Sequence, residues 1–176
     1  DPPLPESVSL RGAGAATLRF ASSARTAGAS INFQPGTNAG IQFAAVPTTV
    51  QNGMMSGYAY MTTPAGAIDY VATPAINTNI APLNAATAFP TTGGVATTNY
   101  LLSGDTTTTG SVNANSVRIT SGANLTLGNF LNITSASATA HGGILHDNAG
   151  GSSTITGSYI RLSAANQETV VITGGT

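Results

Sequence analysis

Between Asn115 and Thr173 the chain is a series of very short alternating runs, and this restricts its fold more than any other feature. The runs read Ser116-Val117-Arg118-Ile119-Thr120, Asn124-Leu125-Thr126-Leu127, Leu131-Asn132-Ile133-Thr134, Ser158-Tyr159-Ile160-Arg161-Leu162 and Thr169-Val170-Val171-Ile172-Thr173. Within each, aliphatic residues fall two apart, which places them on one face of a strand and the polar residues on the other. No run is long enough for a helix, and no 3.6-residue period crosses them. Small polar and glycine-rich corners separate the runs. Strands this short, broken this regularly, suit a chain that coils and stacks on itself, a β-solenoid. The spacing predicts that Val117, Ile119, Leu125, Leu127, Leu131, Ile133, Ile160, Leu162, Val170 and Ile172 point inward and stack between rungs, three strands to a turn.

The rest of the chain divides by composition. Pro2, Pro3 and Pro5 cannot donate ladder hydrogen bonds, so residues 1–9 are expected to be an arm or linker. Residues 10–176 are expected to form one solenoid domain. Within it, 46–99 reads as a loop or hairpin insertion, interrupted by Pro47, Pro64, Pro74, Pro82 and Pro90. There, Gly57-Tyr58-Ala59-Tyr60-Met61 and Ala67-Ile68-Asp69-Tyr70-Val71 flank the turn-like Thr63-Pro64-Ala65-Gly66, which predicts a hairpin. Its aromatics are expected to anchor the excursion against the core. The sharper alternative makes Tyr58, Tyr60 and Tyr70 a platform for sugar rings or a partner.

Charged residues are only 6% of the chain and hydrophobic ones 41%, so solubility rests on Thr, Ser and Asn. With five basic and six acidic residues the net charge is −1, and the Arg are scattered. Nucleic-acid binding needs clustered cations to neutralise phosphates, so none is expected. Cysteine is absent, which excludes disulfides, thiolate zinc sites and cysteine catalysis. Lysine is absent too, and with it Schiff-base chemistry and the P-loop lysine. No apolar run approaches the roughly 20 residues of a bilayer helix, so membrane insertion by this segment is not expected. The N-terminal stretch carries no basic region followed by an apolar one, so it does not read as a signal peptide. The ending Thr173-Gly174-Gly175-Thr176 reads as another corner awaiting another strand.

Several motifs resemble the autotransporter-associated β-strand repeat proteins, bacterial surface or secreted proteins. They are Arg25-Thr26-Ala27-Gly28-Ala29-Ser30-Ile31-Asn32-Phe33, Asn52-Gly53-Met54-Met55-Ser56-Gly57-Tyr58-Ala59 and Ile68-Asp69-Tyr70-Val71-Ala72, then Asn113-Ala114-Asn115-Ser116-Val117-Arg118-Ile119, Asn124-Leu125-Thr126-Leu127-Gly128 and Gly142-Gly143-Ile144-Leu145. The likeness spans about residues 18–173. It implies a right-handed parallel β-solenoid passenger on the cell exterior, with no catalytic residues to carry over. Tyr70 stands where that family commonly has tryptophan.

Chemistry has few candidates. Asp69, Asp105, Asp147 and Glu168 are isolated in sequence, without the facing pair that glycoside hydrolysis uses, and read as solvated corner carboxylates. His141, His146 and Asp147 are the one dense ionisable cluster. A structural zinc site wants a third or fourth ligand, and no Gly-x-Ser-x-Gly elbow accompanies a His–Asp pair. Surface corners are the expected role, with no catalytic, cofactor or metal site. The apolar-Arg-apolar triplets at Arg19, Arg118 and Arg161 turn Arg outward, which reads either as a contact for an acidic glycan or a neighbouring filament. Three widely separated Arg make no patch, so the expected role is to solubilise a neutral strand surface and discourage side-to-side sheet aggregation. Outward Thr would suit ice binding, but Thr106 to Thr109 is one short tract and the others show no fixed rung spacing.

The expectation is therefore a non-catalytic structural segment of a bacterial extracellular fibre, stalk or autotransporter-type passenger, a stiff rod continuing end to end with copies of itself or flanking segments. A carbohydrate-binding adhesin contacting surface glycan through exposed tyrosines is the first alternative. A β-helical polysaccharide lyase or hydrolase is the second.

Overall fold

Among the described residues the protein folds into short β-strands joined by turns, with no helix. The computed structural model describes residues 6–10, 15–23, 29–134, 142–147, 151–162 and 169–173. Packing divides the chain into two compact units, Asp1–Asn84 and Ala85–Thr176. That boundary falls inside the 46–99 segment expected to be an insertion.

In unit 1, β1 (Glu6–Leu10), β2 (Ala16–Phe20), β3 (Ile31–Pro35) and β4 (Ala39–Phe43) alternate between two sheets. β1 pairs in parallel with β3, and β2 with β4. β1 begins inside the segment expected to be an arm, whereas Pro2, Pro3 and Pro5 lie outside the described residues. Alternation fills the core: Phe33, Ile41 and Phe43 are each 1% exposed. Phe43 stacks on Phe20 at 5.5 Å and meets Phe33 edge-on at 6.1 Å.

The expected hairpin is present. β5 (Ala59–Thr62) extends the first sheet in parallel with β3, and β6 (Ile68–Tyr70) returns antiparallel to β5. Gly66 closes the turn at φ +86°, a left-handed conformation that glycine adopts without steric cost. The Thr63 carbonyl accepts from the Gly66 N–H, and the Ala67 carbonyl from the Thr63 N–H, both at 2.8 Å.

In unit 2 every strand pairing is parallel, and three sheets are visited in rotation. After the two-residue β7 (Thr87–Ala88), β8 (Asn99–Leu102), β9 (Thr106–Thr107) and β10 (Val112–Ala114) each enter a different sheet. β11 (Ser116–Ile119), β12 (Leu125–Leu127) and β13 (Leu131–Ile133) pair onto them in the same order. β14 (Gly143–His146), β15 (Ile155–Gly157) and β16 (Ile160–Leu162) repeat the cycle, and β17 (Val170–Thr173) returns to β14.

This register stacks like on like. Val112, Leu131 and Ile160 form one column, and Tyr100, Val117, Ile144 and Val171 another. The layer of β11 to β13 is the driest: Val117, Ile119, Leu125, Leu127, Leu131 and Ile133 are all buried. Each such side chain contributes roughly 1.5–3 kcal/mol of burial.

Some expected core residues behave otherwise. Ile160 only packs against the cluster from its edge, and Leu162 is 52% exposed, because β16 is the outermost strand of its sheet. In β17 the phase is shifted by one. Val171, not Val170 or Ile172, lies opposite Ile144 and Val117, and it is 60% exposed at the end of its column. Ile172 lies opposite Leu145, which in turn faces Arg118 across the ladder; Ile172 is nevertheless buried. The Val170 side chain lies outside the described residues.

Candidate functional site

The three tyrosines proposed as a platform come from the unit 1 hairpin and the turn before it. Tyr58 is buried, its hydroxyl 2.7 Å from Thr49 Oγ1. Tyr70 is buried on β6, and burial, then the neighbouring Asp69 charge, pushes its phenol well above the ordinary range. Only Tyr60, directly across the ladder from Tyr70, keeps part of its surface; its phenol too is raised by burial. A sugar needs an open ring face, so this trio forms no exposed row. Its aromatics anchor the hairpin.

Two of the carboxylates read as solvated corners are buried instead. Asp69 accepts from the backbone N–H of Tyr70 at 2.8 Å and of Asn84 at 3.0 Å, which ties the hairpin to the chain end of unit 1. Asp147 is paired with Arg118: Nη2 donates to Oδ2 at 2.8 Å, with the side chains only 9% and 15% exposed. Arg118 does point outward from β11, as its triplet implies, but into a covered face beside Leu145. Its guanidinium is held by a partner rather than by solvent. Arg19 and Arg161 are the exposed members of the set, while Arg11 and Arg25 lie outside the described residues.

His146 Nε2 sits 3.0 Å from Ser153 Oγ, and Ser153 donates to the Thr120 carbonyl at 3.2 Å. With its proton donated to that carbonyl, Ser153 can accept from His146 when Nε2 carries the proton. The Asp147 carboxylate turns to Arg118, so no Ser–His–Asp relay is assembled. Among the described residues no three His, Asp or Glu gather as metal ligands. His141 and Glu168 lie outside them.

Polar side chains of unit 2 instead form ladders from layer to layer. Asp105 Oδ1 accepts from the Asn124 N–H at 2.9 Å and from its Nδ2 at 3.0 Å, and Asn124 Oδ1 accepts from the Thr154 N–H at 3.0 Å. At another corner, Asn115 Nδ2 and Ser116 Oγ donate to Asn99 Oδ1 at 2.6 and 2.8 Å. Thr107, Thr126 and Thr156 form an exposed in-register column, with Thr126 and Thr156 hydroxyls 3.4 Å apart. Sequence spacing concealed that column, because the layers differ in length.

One exposed cluster was not anticipated. Phe130 and Tyr159 immediately precede paired residues, Leu131 of β13 and Ile160 of β16, and their rings stack at 5.7 Å with 25° between planes. Arg161 lies with its guanidinium carbon 4.2 Å from the Phe130 ring centroid, and its Nη2 donates to Tyr159 Oη at 3.3 Å. Tyr159 is 53% exposed. Beside this step, Asn132 Nδ2 donates to Asn113 Oδ1 at 2.8 Å on the same face of the sheet. The available signal was an aromatic one position before the first inward aliphatic of each run, Leu131 and Ile160; pairing them needed the register. No family model, curated protein or solved structure matches the chain.

Proposed function

We propose that the chain is a non-catalytic structural segment of a bacterial extracellular fibre, stalk or autotransporter-type surface passenger, whose unit 2 is a right-handed β-solenoid that continues end to end. The parallel, rotating order of its three sheets supports the solenoid reading. The strong preference of parallel crossover connections for the right-handed path supports the hand. The observation that carries the reading is the exposure of apolar side chains on the last described layer. Leu162 and Val171 continue the dry columns of Ile133 and Ile144, yet they are 52% and 60% exposed. A further parallel rung stacked there would bury both side chains and extend the ladder of β16 and β17. That rung would come from another copy or from a flanking segment of a longer chain. The surface location follows the resemblance of the motifs and the low charge.

Sedimentation velocity on the chain from micromolar upward tests this. Concentration-dependent linear oligomers are expected, and the Leu162→Asp/Val171→Asp variant should remain monomeric. A wild-type chain that stays monomeric throughout overturns end-to-end stacking of copies.

A further inference from the structure

We infer that Phe130, Tyr159 and Arg161 form a binding step for an acidic glycan, a chain of sugars bearing carboxylate or sulfate groups. The step uses side chains on the outer face of the sheet and not the core columns. Tyr159 borders the outermost strand β16 with Phe130 stacked on one ring face, so a further rung added to that strand would compete with a sugar for the other.

The register of β13 and β16 fixes the aromatic pair. Neighbouring strands lie about 4.8 Å apart, so two side chains preceding paired residues are brought to stacking distance without a dedicated loop. Tyr159 stays 53% exposed there. An exposed, immobilised ring offers an apolar face to the C–H face of a sugar at little entropic cost.

Arg161 supplies the charge. It is exposed, its guanidinium carbon lies 4.2 Å from the Phe130 ring centroid, and the Tyr159 hydroxyl accepts from it at 3.3 Å. The cation–π contact and the hydrogen bond restrain a side chain that would otherwise be mobile. No carboxylate of the described residues pairs with it, whereas Arg118 of the same unit is already bound to Asp147. A restrained guanidinium whose remaining N–H groups have no carboxylate partner among the described residues matches the planar fork of a carboxylate and can also donate to sulfate oxygens.

One such cation suits a polymer with one anion per sugar unit. It does not suit a nucleic acid, whose affinity comes from neutralising several phosphates, and the chain carries a net charge of −1.

Calorimetric titration of the folded chain tests the assignment with four ligands: an oligogalacturonate, its methyl ester, a sulfated oligosaccharide and an oligothymidylate. Saturable binding of the oligogalacturonate, the sulfated sugar or both is expected, with the methyl ester at least tenfold weaker than the free acid. Arg161→Gln should weaken the acidic ligands at least tenfold, and Tyr159→Ala should abolish binding of every sugar. Tyr159→Phe, which keeps the ring but frees Arg161, should lose only part of the affinity. Both positions are exposed, so unchanged circular dichroism and melting temperature are expected to accompany these losses. Preference between the two acidic sugars identifies the anion. Absence of saturable binding at millimolar sugar, binding indifferent to both Arg161→Gln and Tyr159→Ala, or tighter binding of the oligothymidylate through the same residues overturns the inference.

Discussion

Gly142 sits at the corner that leads into β14, where a Cβ would press against the Asn115 carbonyl, Ile133 Cγ2 at 2.8 Å and the Thr134 carbonyl at 2.9 Å. Backbone cannot yield there without opening the layer below, so Gly142→Ala should cost roughly 1–3 kcal/mol, as overpacked sites do. Gly104 meets nothing within 4 Å, and Gly104→Ala should be neutral or slightly stabilising. Urea denaturation of the two variants side by side checks the contrast. Tyr70 makes a second residue-scale prediction. Its hydroxyl is buried without a hydrogen-bond partner among the described residues, so Tyr70→Phe should leave stability at pH 7 unchanged or raised by up to about 1 kcal/mol. The alkaline limb should change as well. The folded phenol titrates above its ordinary value of 10.0, so below pH 10 both states hold the proton and the contribution is complete. As pH rises past 10 the unfolded state releases its proton first, and stability falls until the folded phenol also ionises. Urea midpoints from pH 8 to 11 should therefore decline less steeply in Tyr70→Phe than in wild type. A residual slope is expected from Tyr60, whose phenol is raised in the same direction.

At the scale of elements, position in the stack decides what an aliphatic residue is worth. Leu127 lies on β12, the middle strand of its sheet, and is 3% exposed; Leu162 lies on an outermost strand at 52%. Leu127→Ala should cost about 2–5 kcal/mol, the range of core truncations, and Leu162→Ala well under half as much. Equal costs in chemical denaturation would place the last layer inside the core. The Arg118–Asp147 pair ties β11 to the residue following β14 and is almost dry. Removing one partner leaves a largely buried charge, so Arg118→Ala should cost towards the lower end of about 3–5 kcal/mol. The double variant Arg118→Met/Asp147→Leu should recover most of that loss, because apolar neighbours Leu145 and Ile172 already line this face. A thermodynamic cycle over the single and double variants measures the coupling.

At the scale of the molecule, each unit solves the same problem with strands of two to five residues, paired mostly in parallel. A strand so short cannot bury enough surface alone, so its stability is borrowed from the layers on either side. The β11 to β13 layer, which has strands on both sides in all three sheets, should be the last to exchange amide hydrogens. β15 to β17 should exchange first among the unit 2 layers, and hydrogen-exchange mass spectrometry reads both. The exposure of Leu162 and Val171 is the same principle at the boundary: these columns stop while their side chains remain apolar.

The sequence by itself determined the strand content, most of the inward face and the hairpin. Alternation with a period of two is local, and so is a Pro-Gly turn, so Val117, Leu127 and the Thr63–Gly66 turn were legible without neighbours. Register was not local. Val170-Val171-Ile172 offers aliphatic side chains in either phase, and a slip of one residue inverts the strand, so only pairing with β14 selected Val171 for the inner column. Layers of unequal length likewise hid every contact across a layer. Arg118 and Asp147 are separated by 29 positions, and the residues between them do not state where the turn closes. The same holds for Phe130 and Tyr159, and for the burial of Asp69. Strand character is a property of a few consecutive residues, whereas which side chains meet depends on the path of the chain between strands, and tertiary packing alone decided that.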